Sequence, residues 1–133
     1  MEAILRSIFD LAVHHGLSSP RQIVRIAGGS VNQTFAVDDR YIVRLNTRDP
    51  HVRKFAREKI AFELLAATRV PVPRVFVLDE SRQVVSADAL ITEMLPGQSV
   101  SSRWEELSPA ERAQLAEKAG RIWAEIAAIQ LPY

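Results

Sequence analysis

The chain has 133 residues, 47% hydrophobic and 25% charged, with a net charge of +1 and no cysteine. That length suits a single domain with a core of its own, and the near-neutral charge makes no case for a nucleic-acid or anionic-membrane surface. Without cysteine there is no disulfide, no thiolate chemistry and no cysteine zinc site. Glu2, Arg6 and Asp10 interrupt the apolar run a signal peptide needs, and no stretch approaches the roughly 20 apolar residues of a membrane span. A soluble, cytoplasmic protein is the expectation.

In chain order, Ile4, Leu5, Ile8, Leu11 and Ala12 fall at helical spacing within residues 2–15, and Gly16 is a natural stop. Residues 22–27 are apolar and β-branched, which predicts a strand that Gly28-Gly29 breaks. Residues 33–37 and 41–45 read as two further strands around a tight turn at Asp38-Asp39-Arg40. Asp49 as N-cap with Pro50 at the first helical position predicts a helix running to about Thr68. Val70-Pro-Val-Pro73 cannot be helical. Residues 74–78 and 87–94 predict two more strands joined near residues 80–82, and Pro96-Gly97 ends the sheet. Ser108-Pro-Ala-Glu111 is a capping box opening a helix whose Leu115, Ala119, Ile122, Trp123, Ile126 and Ile129 form one stripe. The expected fold class is α+β, with a five-stranded antiparallel sheet and flanking helices.

Few residues point to chemistry. Gly28 and Gly29 allow positive backbone dihedrals and close approach of main-chain amides to an anion, with Ser30, Asn32 and Thr34 as added donors. The same residues also suit a plain hairpin connection. The spacing is neither G-x-G-x-x-G nor G-x-x-x-x-G-K-[ST], so neither a dinucleotide fold nor a P-loop follows. Ile42 and Arg44 share one face of their strand, and an arginine between Val43 and Leu45 asks for a carboxylate or phosphate partner unless that face is open to water. Glu58, in the following helix, is either that partner or part of a solvated charged face with Lys54. No histidine or carboxylate spacing resembles a metal site.

Taken in order, Gly28-Gly-Ser-Val-Asn-Gln-Thr-Phe35, Tyr41-Ile-Val-Arg44, Arg57-Glu58, Val70-Pro-Val-Pro-Arg-Val75 and Ile91-Thr-Glu-Met-Leu-Pro-Gly97 resemble the N-terminal half of the aminoglycoside phosphotransferase and choline kinase family. Residues 115–129 are similar to the helix before that family's catalytic loop. The resemblance implies a protein-kinase-like fold, with residues 1–97 as an N-terminal lobe with its leading helix. Residues 98–133 would be the hinge segment and the first helix of the next lobe. It implies that Gly28, Gly29, Ser30, Asn32 and Thr34 cover the nucleotide phosphates and that Arg44 stands where kinases usually carry lysine, paired with Glu58. Ile42 would pack on the base, Thr92 would be the gatekeeper, and the Glu93 carbonyl and Leu95 amide would meet the base edge.

The cofactor implied is ATP or GTP with Mg2+, and the reaction is transfer of the γ-phosphoryl group to a hydroxyl of a small-molecule acceptor. The aspartates and asparagine that such transfer needs have no match here, so the resemblance implies no catalytic residue and no metal ligand in this chain. The expectation is a nucleotide-binding lobe that is inactive alone. The alternatives are a non-catalytic binding or assembly module, or a half-enzyme completed by a separate lobe. A homodimer through the exposed terminal helix is expected as well.

Overall fold

A computed structural model describes residues 1–27 and 32–130. The chain divides into two compact units, one of residues 1–62 and 73–95, the other of residues 63–72 and 96–133.

The first unit carries the sheet. Strands β1 (Ile23–Ile26), β2 (Gln33–Val37), β3 (Tyr41–Asn46), β4 (Val75–Asp79) and β5 (Asp88–Glu93) pair antiparallel throughout in the order β1-β2-β3-β5-β4. Period-two alternation sends Phe35, Val37, Tyr41, Val43, Leu45, Ala89 and Ile91 to one face, where helix α1 (Glu2–His14) lays Ile8 and Leu11 on them. The result is a continuous apolar core. Gly16 ends α1 as expected: at φ +72° it lets its own amide reach the Val13 carbonyl (3.0 Å) and lets the Leu17 amide reach that of Ala12 (3.0 Å). Leu17 then joins the core.

The β2–β3 turn is tight because Asp38 and Asp39 both take positive φ (52° and 51°), the handedness that suits a twisted hairpin. Asp38 also accepts, through Oδ1, the amides of Arg21 and Gln22 at 2.8 Å each. The entry to β1 is thereby tethered to this turn. At the far side of the unit, buried Asp79 closes β4 and accepts a hydrogen bond from His15 Nε2 (2.7 Å) and two from Ser81, by hydroxyl and amide. Burial alone pushes this carboxyl's pKa up. The Ser81 and His15 bonds outweigh that, and the net shift is below the ordinary value.

One expected boundary is corrected. The second helix, α2 (Lys54–Ala66), does not start at Asp49-Pro50. Asn46 explains the delay. Its side-chain amide donates to the carbonyls of Asp49 (2.8 Å) and Val52 (3.0 Å), and its Oδ1 accepts the Asp49 amide (3.3 Å). Residues 49–52 are thus held as a turn, and the helix begins only once the chain leaves it.

The second unit is helical beyond residue 96. Its α3 (Val100–Arg103) and a following 3-10 turn (Trp104–Glu106) were not anticipated from sequence. Helix α4 (Pro109–Ala127) has the expected capping box: Ser108 accepts from the Glu111 amide, and Glu111 accepts from the Ser108 amide. Arg112 crosses from α4 to donate to the Trp104 carbonyl, with its guanidinium 4.8 Å from that indole. No residue of α3 or α4 is buried, and Trp123 is 73% exposed. No helix among the described residues is long and apolar enough to cross a membrane.

Candidate functional site

The face of the sheet opposite α1 holds the candidate site, and strand register decides which side chains meet there. In an antiparallel pair, directly opposed residues point to the same side. Ile26 faces Thr34, Thr34 faces Arg44, and Arg44 faces Leu90, which makes one transverse row. Val24, Ala36, Ile42 and Thr92 make the neighbouring row. The first row carries the charge and a hydroxyl, and the second is apolar up to Thr92.

Arg44 is the centre of the charged row. Its guanidinium donates to Glu58 Oε1, and its Cζ lies 5.3 Å from the ring centroid of Phe55, which is itself buried. The two charged side chains are only partly open to water, at 23% for Arg44 and 31% for Glu58. Such a pair is screened less than a surface bridge, yet its guanidinium remains reachable from outside. Residues 55 and 58 are one helical turn apart, so the opening of α2 presents ring and carboxylate together to β3. The charge partnership open to question in the sequence is therefore an ion pair. A second bond of Glu58 to a solvated Lys54 is not what the structure shows.

Both rows are open at their β1 ends. Val24 is 47% exposed and Ile26 40%, whereas Ala36 and Thr92 are buried. A β1 strand with half-exposed aliphatics on this side is a surface that a flat apolar group can cover. Where the apolar row reaches β5, Glu93 is tied to Arg74 twice, its amide donating to the Arg74 carbonyl (2.8 Å) and its Oε2 accepting the Arg74 amide (3.2 Å). The Met94 amide donates to the Arg40 carbonyl (2.9 Å), which fixes the exit of the strand, and Leu95 is half-exposed just beyond.

Among the sequence-derived candidates, Thr34, Ile42, Arg44 and Glu58 converge on this face, with Glu93 and Leu95 at its end. Asn32 lies just before β2, with its Oδ1 buried and without a hydrogen-bond partner. Gly28, Gly29 and Ser30 lie outside the described residues. Val24, Ile26 and Ala36 were missed from the sequence: nothing in a single strand marks them, and only cross-strand register brings them beside Ile42. Among the described residues no group of three histidine, aspartate or glutamate side chains could hold a metal ion.

Residues 22–132 match the model of the phosphotransferase enzyme family. The chain belongs to that family. No curated protein sequence matches it. Among solved structures, ADP-bound aminoglycoside phosphotransferase APH(2'')-Ib superposes with a TM-score of 0.72 at 17% identity, over 95% of this chain and 40% of its own. The gentamicin complex of APH(2'')-IIa gives a TM-score of 0.74 at 17% identity, over 94% of this chain and 40% of that one. The streptomycin–ATP ternary complex of APH(2'')-IIa gives 0.70 at 17% identity, over 96% and 42%. At that identity the likeness is one of fold, and the fold of this phosphotransferase-family chain is kinase-like. The chain spans about two-fifths of the length of these solved relatives.

Proposed function

We propose that the open sheet face is the nucleotide-binding wall of a small-molecule phosphotransferase. The observation that carries this reading is the adjacency of the two rows, an aliphatic strip open at its Val24 end beside an arginine held by a carboxylate. A purine is flat and apolar on its faces, and it suits Val24, Ala36 and Ile42. Its phosphates are anionic and suit the Arg44 fork, which can bind oxygen atoms bidentately while Glu58 keeps the guanidinium aimed. Thr34 adds a hydroxyl donor beside Arg44. Thr92 closes the strip, and the Glu93 carbonyl and Leu95 amide serve the edge of the base. Gly28, Gly29, Ser30 and Asn32 belong over the phosphates.

ATP or GTP is the cofactor in this reading. The reaction it serves is γ-phosphoryl transfer to a hydroxyl of a small acceptor, an aminoglycoside being one candidate given what the solved relatives bind. In this reading the chain's own contribution is to bind and orient the nucleotide. Turnover by the chain alone is expected to be absent.

Titration of the 15N-labelled chain with ATP tests the reading. Shifts are expected at Val24, Ala36, Ile42, Arg44 and Thr92. Arg44→Ala should weaken binding about tenfold, the loss of a charge-assisted contact, while Arg6→Ala on α1 should leave it unchanged. Shifts confined to the α1 face, or an unaltered affinity in Arg44→Ala, would overturn it.

A further inference from the structure

Phe55 has two cations at its ring. Arg44 Cζ lies 5.3 Å from the centroid and Lys54 Nζ 5.8 Å from it. Arg44 has Glu58 as its partner. Lys54 has none: its Nζ is sealed from solvent and finds no hydrogen-bond acceptor among the described residues. A sequestered ammonium without an acceptor is costly, and an aromatic ring returns only part of that cost. Such atoms are rare in folded proteins and ask for an explanation.

A second atom of this kind is Asn32 Oδ1. Asn32 precedes β2, and alternation puts it on the side of Thr34, hence of Arg44. Asn46, two residues beyond Arg44 on the same side, grips the turn that leads directly into Lys54. The margin of the Arg44 row thus offers an ammonium and a carboxamide oxygen, neither with a hydrogen-bond partner among the described residues. A third such atom, Glu80 Oε1, belongs to a carboxylate whose other oxygen faces Arg53 at 3.8 Å.

We propose that Lys54 is a second phosphate-binding cation of the nucleotide site. Its flexible four-carbon stem swings the ammonium off the Phe55 ring and onto the outer phosphates of a nucleotide whose inner phosphates lie on Arg44. The Asn32 side chain, rotated to present its Nδ2, donates to the same group. Phosphate oxygens give the ammonium the acceptors that it lacks in the free protein. Lys54 therefore reads the number of phosphates, whereas Arg44 serves any nucleotide. The inference rests on the nucleotide reading above and deepens it.

The test is the affinity of the full chain for AMP, ADP and ATP, measured by NMR titration in the wild type, Lys54→Met and Lys54→Arg. Lys54→Met should cost about tenfold for ATP and nothing for AMP, and Lys54→Arg should restore most of the ATP preference. An ATP-to-AMP ratio equal to wild type in Lys54→Met overturns the role of Lys54 while leaving the nucleotide site standing. That role is equally overturned if the substitution lowers only thermal stability, as for a lysine kept for packing alone. A wild type that binds none of the three overturns both. Should Lys54→Met fail to fold, selective labelling of lysine side chains in the wild type decides: the Lys54 signal must move with ATP and not with AMP.

Discussion

The sheet unit and the helical unit reach order by different routes. In the first, Ile8, Leu11, Phe35, Val43 and Ile91 are all 1% exposed or less, and they come from four separate elements. In the second, α3 and α4 bury no residue, and their order rests on neighbours along the chain. Ser108 and Glu111 cap one another, Arg103 pairs with Glu106 and Arg121 with Glu117, and Arg112 reaches back to Trp104. An apolar stripe on a helix therefore reports only that a surface could be buried. Whether it is buried depends on what the rest of the fold supplies, and α1 finds such a surface where α4 buries nothing.

Core truncation should separate the two most sharply. Phe35→Ala removes a fully buried ring from the middle of the sheet and should destabilise the first unit by about 3–5 kcal/mol, read from far-UV dichroism in urea. Both tryptophans, Trp104 and Trp123, lie in the second unit, so their fluorescence reports on that unit separately. Coincident transitions by the two probes would show the helices to depend on the sheet. A fluorescence change that persists beyond the dichroism transition would show independent local order.

Acid should act on the first unit through Asp79. Its folded pKa lies below the ordinary 3.8, so its stabilising contribution is complete above that value and lost as pH falls through the lower folded one. Asp79→Asn should flatten the acid limb of the stability curve and cost about 2 kcal/mol near neutrality, the scale of hydrogen bonds to a charged group. A limb as steep as wild type would assign the acid sensitivity elsewhere.

The smallest effect belongs to the cap. Ser108→Ala should cost about 1 kcal/mol, confined to the first turns of α4 in hydrogen exchange, with the sheet amides unchanged. Loss of protection in β3 or β5 would mean that the units are more tightly coupled than their burial suggests.

These outcomes also bear on what could be read beforehand. The alternation of β2 and β3, the Gly16 stop and the capping box are local signals, and each was legible because its cause sits within a few residues of its effect. The Arg44–Glu58 partnership was legible from a resemblance in order, strand then helix. The start of α2 was not, because the Asn46 side chain competes with the helix for residues 49–52 and an Asp-Pro pair carries no mark of that competition. Val24 and Ala36 escaped because register is a relation between strands. His15 and Asp79, 64 positions apart, escaped for the same reason.

The strand order has a bearing on how this protein must assemble. β1-β2-β3 is a meander and β4–β5 a hairpin, so each can zip from its own turn with little loop to close. The β3–β5 seam is different: it joins Asn46 to Asp88 and must enclose α2 and β4 before any of its bonds form. Loop-closure entropy predicts that this seam closes after the meander and the hairpin, an order that pulsed hydrogen exchange during refolding would check. Arg44 sits on the seam, opposite Leu90. The chain can therefore acquire most of its secondary structure early, yet the arginine row is complete only after its last zipper has closed.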